Sequence, residues 1–298
     1  MILDEDAVRR LLSMGRLIPA MERALADLSA GRVVQPLRAV IPVADSQGFL
    51  GVMPAYAGNA LGAKLVTFFP RNRDVHTHHA TIVLFRPDTG EPLVTMDGRL
   101  ITEMRTAAVS AVATKALARP EASVLAILGS GVQARSHLEA LRLVRPLSDV
   151  RVWSPHRAGA FATKFGVRAA ASVEEAVRGA DVVVVATTSK TPVLRGHWLS
   201  PGMHVNAIGA SRPDWRELDD RVLSRARLFV EQREAASKES GDVIAAGRID
   251  AEIGEVVLGT AAGRVSVEEI TLFKSVGVAV EDVVAAELVY RAAIAEDR

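Results

Sequence analysis

Two glycines one residue apart carry the first chemical signal in the chain. Val124 to Leu128 is an unbroken apolar run, and Gly129-Ser130-Gly131-Val132-Gln133-Ala134 follows it directly. A buried strand, a glycine turn and a helix beginning near Gln133 are the setting in which this spacing binds a dinucleotide. Gly129 allows the tight turn, Gly131 lets backbone approach a pyrophosphate, and Ala134 is small enough for close helix–sheet packing. The free N–H groups at the helix start, around Val132 and Gln133, would receive the phosphates. An ordinary glycine turn is the plainer alternative, and the flanking pattern argues against it.

The next candidates concern which nicotinamide cofactor would bind. The second strand of the pattern, 149–153, ends in Ser154-Pro155-His156-Arg157. An NAD site usually places a carboxylate there for the ribose hydroxyls. Asp149 has about the right distance from the first glycine but stands at the opposite end of that strand. A hydroxyl, an imidazole and a guanidinium suit a 2′-phosphate instead. NADP(H) is therefore expected in preference to NAD(H), with NAD(H) possible; a solvated turn with incidental basic residues is the rival reading.

Other residues could face a substrate. Arg38 offers a planar guanidinium, the best bidentate partner for a carboxylate. Lys64 sits inside an apolar run, 62–69, where an unpaired lysine is costly to bury; a surface lysine on an edge strand is the other reading. His76, His78 and His79 have metal-like spacing, but no carboxylate or further histidine completes a ligand set. Hydrogen bonding at a site rim is expected, and no metal. Thr187 ends the apolar run 181–186, and ligands bind at strand carboxyl ends in open α/β sheets.

These groups need a scaffold, and the hydrophobic periodicity supplies one. Asp4 or Asp6 can cap a helix through Leu12, and 17–28 reads as a second helix closed by Gly31. Short β-type runs follow at 38–43, 49–53, 62–69, 81–85 and 93–96, the last two joined by a turn at Pro87-Asp88-Thr89-Gly90. A long Ala-rich helix, 100–118, hands the chain to the 124–128 strand. Strands at 149–153, 181–186, 203–208, 227–230 and 270–273 then alternate with helices at 158–165 and 172–178. Alternation of this kind predicts a doubly wound parallel sheet. The fold class is therefore α/β, a Rossmann domain beside a smaller, mostly antiparallel α+β substrate and dimerisation domain. The expected division is 1–112 for the latter and 113–277 for the former, with helix 278–298 packing back on 1–112.

Composition narrows the class further. With 298 residues, 49% apolar content, net charge +1 and no cysteine, the chain can bury a large core and excludes disulfides and thiolate metal sites. No run of five like charges points to nucleic acid or an anionic membrane as partner. The first ten residues lack the apolar core of a signal peptide, and no apolar run is long enough to span a bilayer. A cytoplasmic globular enzyme is expected.

Four separated motifs then resemble one family. They are Ile127-Leu128-Gly129-Ser130-Gly131-Val132-Gln133-Ala134, Met104-Arg105-Thr106-Ala107-Ala108, the segment from Val205 through Gly209-Ala210-Ser211-Arg212-Pro213-Asp214-Trp215-Arg216-Glu217-Leu218, and Thr271-Leu272-Phe273-Lys274-Ser275-Val276-Gly277. Together they are similar to the ornithine cyclodeaminase/mu-crystallin family over nearly the whole chain. Segments 209–218 and 238–243 look most like the mu-crystallin branch of NADPH-dependent ketimine reductases. The resemblance implies that Arg38 grips a substrate carboxylate, that Lys64 is the active-site lysine, and that Arg105 lies near cofactor phosphate and substrate. It also implies substrate contacts from Met53, His79, Ser211 and Val276, and cofactor contacts from Thr106, Thr187, Ile208 and Ser275. For Arg105 the bland alternative is a surface salt bridge to Glu103 or Asp97.

One departure directs the choice of reaction. Family members that make proline from ornithine carry an aspartate where this chain has Ser211, and a glutamate where it has Gly51. Deamination with ring closure needs proton transfers at two stages, so losing both acids disfavours it. Imine reduction needs a hydride and one proton. The resemblance therefore implies an NAD(P)H-dependent reductase of cyclic ketimines such as Δ1-pyrroline-2-carboxylate or Δ1-piperideine-2-carboxylate, acting as a homodimer on a small imino or amino acid. An alanine-type amino-acid dehydrogenase, an ornithine cyclodeaminase and a small-ligand-binding protein with little turnover are the alternatives.

Overall fold

The computed structural model describes residues 1–296. It divides into two compact units, Met1–Arg105 together with the segment from Gly277 onward, and Thr106–Val276.

In chain order the first unit holds β1 (Ile2–Leu3), α1 (Glu5–Leu11), α2 (Met14–Ser29), β2 (Val33–Val34), β3 (Ala39–Val43), β4 (Gly48–Ala57), β5 (Ala60–Phe68), β6 (His78–Phe85) and β7 (Pro92–Asp97). Asp4 caps α1 by accepting from the Ala7 amide at 2.8 Å, which satisfies one of the orphan donors of the first turn. The strands form one sheet in the order β1-β7-β6-β5-β4-β2, with β3 also paired to β4. All pairs are antiparallel except β1 on β7. Side chains alternate across the pleat, so Met53, Ala55, Lys64, Val66, Ala80, Ile82, Leu84, Val94 and Met96 are buried on one face. On the other, Tyr56 and Leu65 are exposed, as are Ile41 and Val43 of β3. Lys64 is thus no edge-strand surface lysine: β5 is interior, and Lys64 pairs in register with Met53 of β4 and Ile82 of β6.

α3 (Arg99–Leu117) carries the chain into the second unit, an eight-stranded sheet whose named pairs are all parallel. Its elements are β8 (Val124–Leu128), α4 (Val132–Arg142), β9 (Asp149–Trp153), α5 (Ala158–Phe165), β10 (Arg168–Ala169), α6 (Val173–Val177), β11 (Val182–Val185), β12 (His204–Ala207), α7 (Asp220–Arg225), β13 (Ala226–Val230), α8 (Arg233–Glu239), α9 (Gly241–Ala246), β14 (Ala251–Glu252), α10 (Ile253–Leu258) and β15 (Ile270–Lys274). Strand order is β10-β9-β8-β11-β12-β15-β13-β14. β11 is four valines, all buried, because helices cover both faces of such a sheet. Each contributes on the order of 1.5–3 kcal/mol by burial. The order reverses between β8 and β11, which makes their carboxyl ends the topological switch point where ligands bind in this architecture.

Helices α7 to α10, not anticipated from sequence, have six or seven residues each, too few for a 3.6-residue period to emerge. Their caps are local: Asp219 and Ser240 accept from Val222 and Val243 amides, and Glu252 with Glu255 forms a capping box.

The chain returns to the first unit in α11 (Ala279–Glu296), which packs on α2, β4 and β5 as its apolar composition requires. Residues 297 and 298 of the expected segment 278–298 lie outside the described residues. No helix among the described residues is long and apolar enough to cross a membrane.

Candidate active site

The first unit gathers its charges under the inner face of the sheet. Lys64, 2% exposed, places Nζ 2.6 Å from Asp282 Oδ2 and 3.5 Å from the Thr102 hydroxyl. Asp282 and Glu281, both fully buried, lie in the first turn of α11, where the helix dipole favours anions. Arg105 comes from α3. Its Nε donates to Asp282 Oδ1 at 3.0 Å and one terminal nitrogen donates to Glu281 Oε2 at 2.6 Å. Arg105 is therefore not a surface residue paired with Glu103 or Asp97. Arg38, half-buried, donates to the Gly277 carbonyl at 2.5 Å. Gly277 has φ +74°, and a Cβ there would come within 2.5 Å of the Arg105 guanidinium, so only glycine lets Arg105 lie against the backbone.

Burial sets the proton affinities. Removal from water pushes the Lys64 amine down to about 8; the Asp282 charge opposes this, and Arg105 and Arg38 reinforce it. Burial alone would raise Asp282, but Arg105 and Lys64 hold its carboxyl below the ordinary value. His78 lies on the Lys64 face and is pushed down to about 4, by burial first and then by Lys64 and Arg105. His79, one residue on, is exposed and points to the opposite face of the sheet. The histidine that meets this charge cluster is His78. Met53 lies beside Lys64 across β4 and β5 and is buried.

The second unit places its candidates at the carboxyl ends of strands. Gly129 follows β8 with φ +123°, and a Cβ there would run into the Ala186 carbonyl beyond β11. Gly131 precedes α4, with no side-chain cap and no atom within 4 Å of where its Cβ would be. The uncapped start of α4 at Val132 and Gln133, with open space beside Gly131, fits the pyrophosphate of a dinucleotide. Ser154, after β9, shares a 2.9 Å hydrogen bond with Ser130 and accepts from the Arg157 amide at 3.1 Å. His156 and Arg157 are exposed beside it. Asp149 begins β9, paired with Arg151 and Arg168 at the far end.

Thr187, after β11, gives both its amide (2.9 Å) and its hydroxyl (2.5 Å) to Glu217 Oε1. Ile208 follows β12, and Ala210 takes a left-handed φ of +49° just before the exposed Ser211. Ser275 and Val276 follow β15 and are held by buried Glu231, through the Ser275 hydroxyl at 2.5 Å and the Val276 amide at 3.1 Å. Thr106 is buried in α3.

Several of these partners had gone unread in the sequence. Glu217 is buried, and burial pushes its carboxyl up to about 7 although Lys274 pulls it back. Lys274, fully buried at the end of β15, donates to the Gly209 carbonyl and lies 3.8 Å from Asp242. Asp242 in turn accepts from the Glu217 and Leu218 amides. A lysine ending an apolar strand gives the same signal for Lys274 that marked Lys64. Glu281 and Asp282 are two acids in the mostly apolar first half of α11.

Comparison with known proteins agrees with this architecture. The sequence model of the ornithine cyclodeaminase/mu-crystallin family matches residues 1–297. The chain is 51% identical to the ketimine reductase mu-crystallin of Macropus fuliginosus, over 96% of this chain and 95% of that one. It superposes with TM-score 0.95 on Thermococcus litoralis Δ1-pyrroline-2-carboxylate reductase in complex with NADH and L-proline, at 38% identity over 100% and 98% of the two chains. An archaeal alanine dehydrogenase dimer with bound NAD also gives 0.95, at 35% identity over 100% and 97%. The chain belongs to the ornithine cyclodeaminase/mu-crystallin family.

Proposed function

We propose that the protein reduces α-imino acids, cyclic ketimines such as Δ1-pyrroline-2-carboxylate or Δ1-piperideine-2-carboxylate, with a nicotinamide cofactor held by the Gly129–Gly131 turn. The observation that carries this reading is the buried Lys64, protonated below about pH 8 and paired with Asp282 beside Arg105. The activities of its relatives, ketimine reductase mu-crystallin and Δ1-pyrroline-2-carboxylate reductase, support it.

The cofactor, when bound, supplies the hydride that C=N reduction needs. Arg38 holds the substrate carboxylate by a charge-assisted hydrogen bond. Lys64 Nζ carries the proton that the imine nitrogen gains, which makes the imine carbon a better hydride acceptor. Met53 packs beside Lys64 on the apolar wall. On the cofactor side Thr187 is fixed by Glu217, and Ser275 and Val276 by Glu231. Ser211 is a neutral hydroxyl and not a carboxyl that can take up and release a proton near the working pH, so that position does not support the second proton transfer of ornithine cyclodeamination.

Ser154, His156 and Arg157 form the half of the site that would hold a 2′-phosphate, so NADPH is the preferred donor and NADH the weaker one. The exposed apolar residues of β3, with Tyr56 and Leu65, support pairing of two copies through the first unit's sheet. The working compartment is the cytoplasm. The experiment is an NADPH-oxidation screen over cyclic imines and pyruvate with ammonia or methylamine, with ornithine and NAD in the oxidative direction. Turnover on the cyclic imines above the others supports the reading, and turnover confined to pyruvate with ammonia would replace it with an amino-acid dehydrogenase.

A further inference from the structure

We propose that Asp282 is a positioning residue for imine reduction, a single buried anion that holds Lys64 with one carboxylate oxygen and Arg105 with the other. This rests on the reading of Lys64 as the proton carrier. The geometry is specific: Oδ2 lies 2.6 Å from Lys64 Nζ, and Oδ1 accepts from Arg105 Nε at 3.0 Å. The two cations come from different elements, β5 and α3, and repel each other in a buried setting. Asp282 reaches both from the first turn of α11, so the end of the chain fixes their spacing.

The groups facing Lys64 determine what Asp282 does to it. Arg105 from α3, Arg38 from the segment before β3 and His78 from β6 surround the amine, and Asp282 is the anion against it. Arg105 and Arg38 favour the neutral amine, as does burial; Asp282 favours the ammonium. Without the Asp282 charge the amine would lose its proton at lower pH, and Lys64 would be neutral over more of the working range. Glu281, the neighbouring acid, is engaged through Oε2 by a terminal nitrogen of Arg105.

The test compares the wild type with Asp282→Asn and Asp282→Glu. With NADPH and Δ1-piperideine-2-carboxylate, kcat/KM of the wild type should fall as pH rises through about 8, where Lys64 deprotonates. In Asp282→Asn that midpoint should move down by about one unit or more, and Asp282→Glu, which keeps the charge at a displaced position, should move it down less than Asp282→Asn does. The same titration read at the Lys64 13Cε resonance needs no substrate. A wild type that reduces no imine would defeat the functional reading, while the resonance still decides the role of Asp282. An Asp282→Asn midpoint equal to wild type by that resonance overturns the inference. Should Asp282→Asn fail to fold, Asp282→Glu carries the test alone. Its extra methylene displaces the carboxylate from both cations, so kcat should fall about tenfold or more with KM changed less; unchanged kcat overturns the inference.

Discussion

In the proposed mechanism Lys64 and Arg38 divide the substrate chemistry, and their substitution should separate along kinetic lines. Lys64→Met removes the proton that activates the imine, so kcat should drop about 10²–10⁴-fold with KM little changed. Arg38→Met removes a bond to the carboxylate that is alike in ground and transition states, so KM should rise and kcat hold. Steady-state rates with a cyclic ketimine and NADPH check both, and a Lys64→Met enzyme of unchanged kcat would strip that residue of its role. Glu217 offers a test by stability. Its folded carboxyl titrates near 7, above its ordinary 4.5, because it is buried. A carboxyl raised on folding means the folded state holds the extra proton between those values, so stability is lost as pH rises from about 4.5 to about 7. Glu217→Gln lacks this loss. Urea unfolding of both proteins at the two ends of that window should show the variant gaining on the wild type by on the order of 3 kcal/mol as pH rises. An equal pH slope for both would mean that Glu217 is already ionised in the fold. Lys64 was legible in the sequence because a lysine in an apolar run needs a partner. Its partner was not, because Asp282 lies more than two hundred positions away and only the packing of α11 brings it to β5.

At the scale of elements, the proposed cofactor preference rests on the turn after β9. If Ser154, His156 and Arg157 take the 2′-phosphate, NADPH should exceed NADH in kcat/KM. Arg157→Ala should then cost about 1–3 kcal/mol with NADPH and little with NADH, since the charge-assisted bond exists only with the phosphate. Equal losses with the two cofactors would move Arg157 out of the site. The strands that position the site were readable because their sequence pattern is strong: the Val182–Val185 run, and the Val124–Leu128 run before the Gly129 turn. The helices between β13 and β15 were not, because they are one to two turns long and their order is imposed by caps and by packing on the sheet. β1 was equally hidden: two residues carry no period, and their pairing with β7 depends on a partner more than ninety positions away. His79 shows the limit of reading one residue at a time. The pleat sends alternate residues to opposite faces, so a shift of a single position exchanges His79 for His78 at the charge cluster.

At the scale of the whole molecule, the outer face of the first unit's sheet exposes Ile41, Val43, Tyr56 and Leu65, an apolar surface that a second copy would cover. Sedimentation at about micromolar concentration should give a dimer, and a monomer alone would remove this expectation. The fold class could be read from the sequence because alternating strands and helices leave few topologies open, whereas placing β15 between β12 and β13 required the structure. The central claim is the proposal that this chain reduces a ketimine and does not deaminate ornithine, which rests on Ser211 and Gly51 at positions where the family resemblance implies acids in deaminating members. The most direct measurement runs NADPH oxidation with Δ1-piperideine-2-carboxylate beside ammonia release from ornithine with NAD, on the same preparation. Sustained NADPH oxidation without ammonia release is the predicted result; ammonia release at a rate comparable to imine reduction would contradict it.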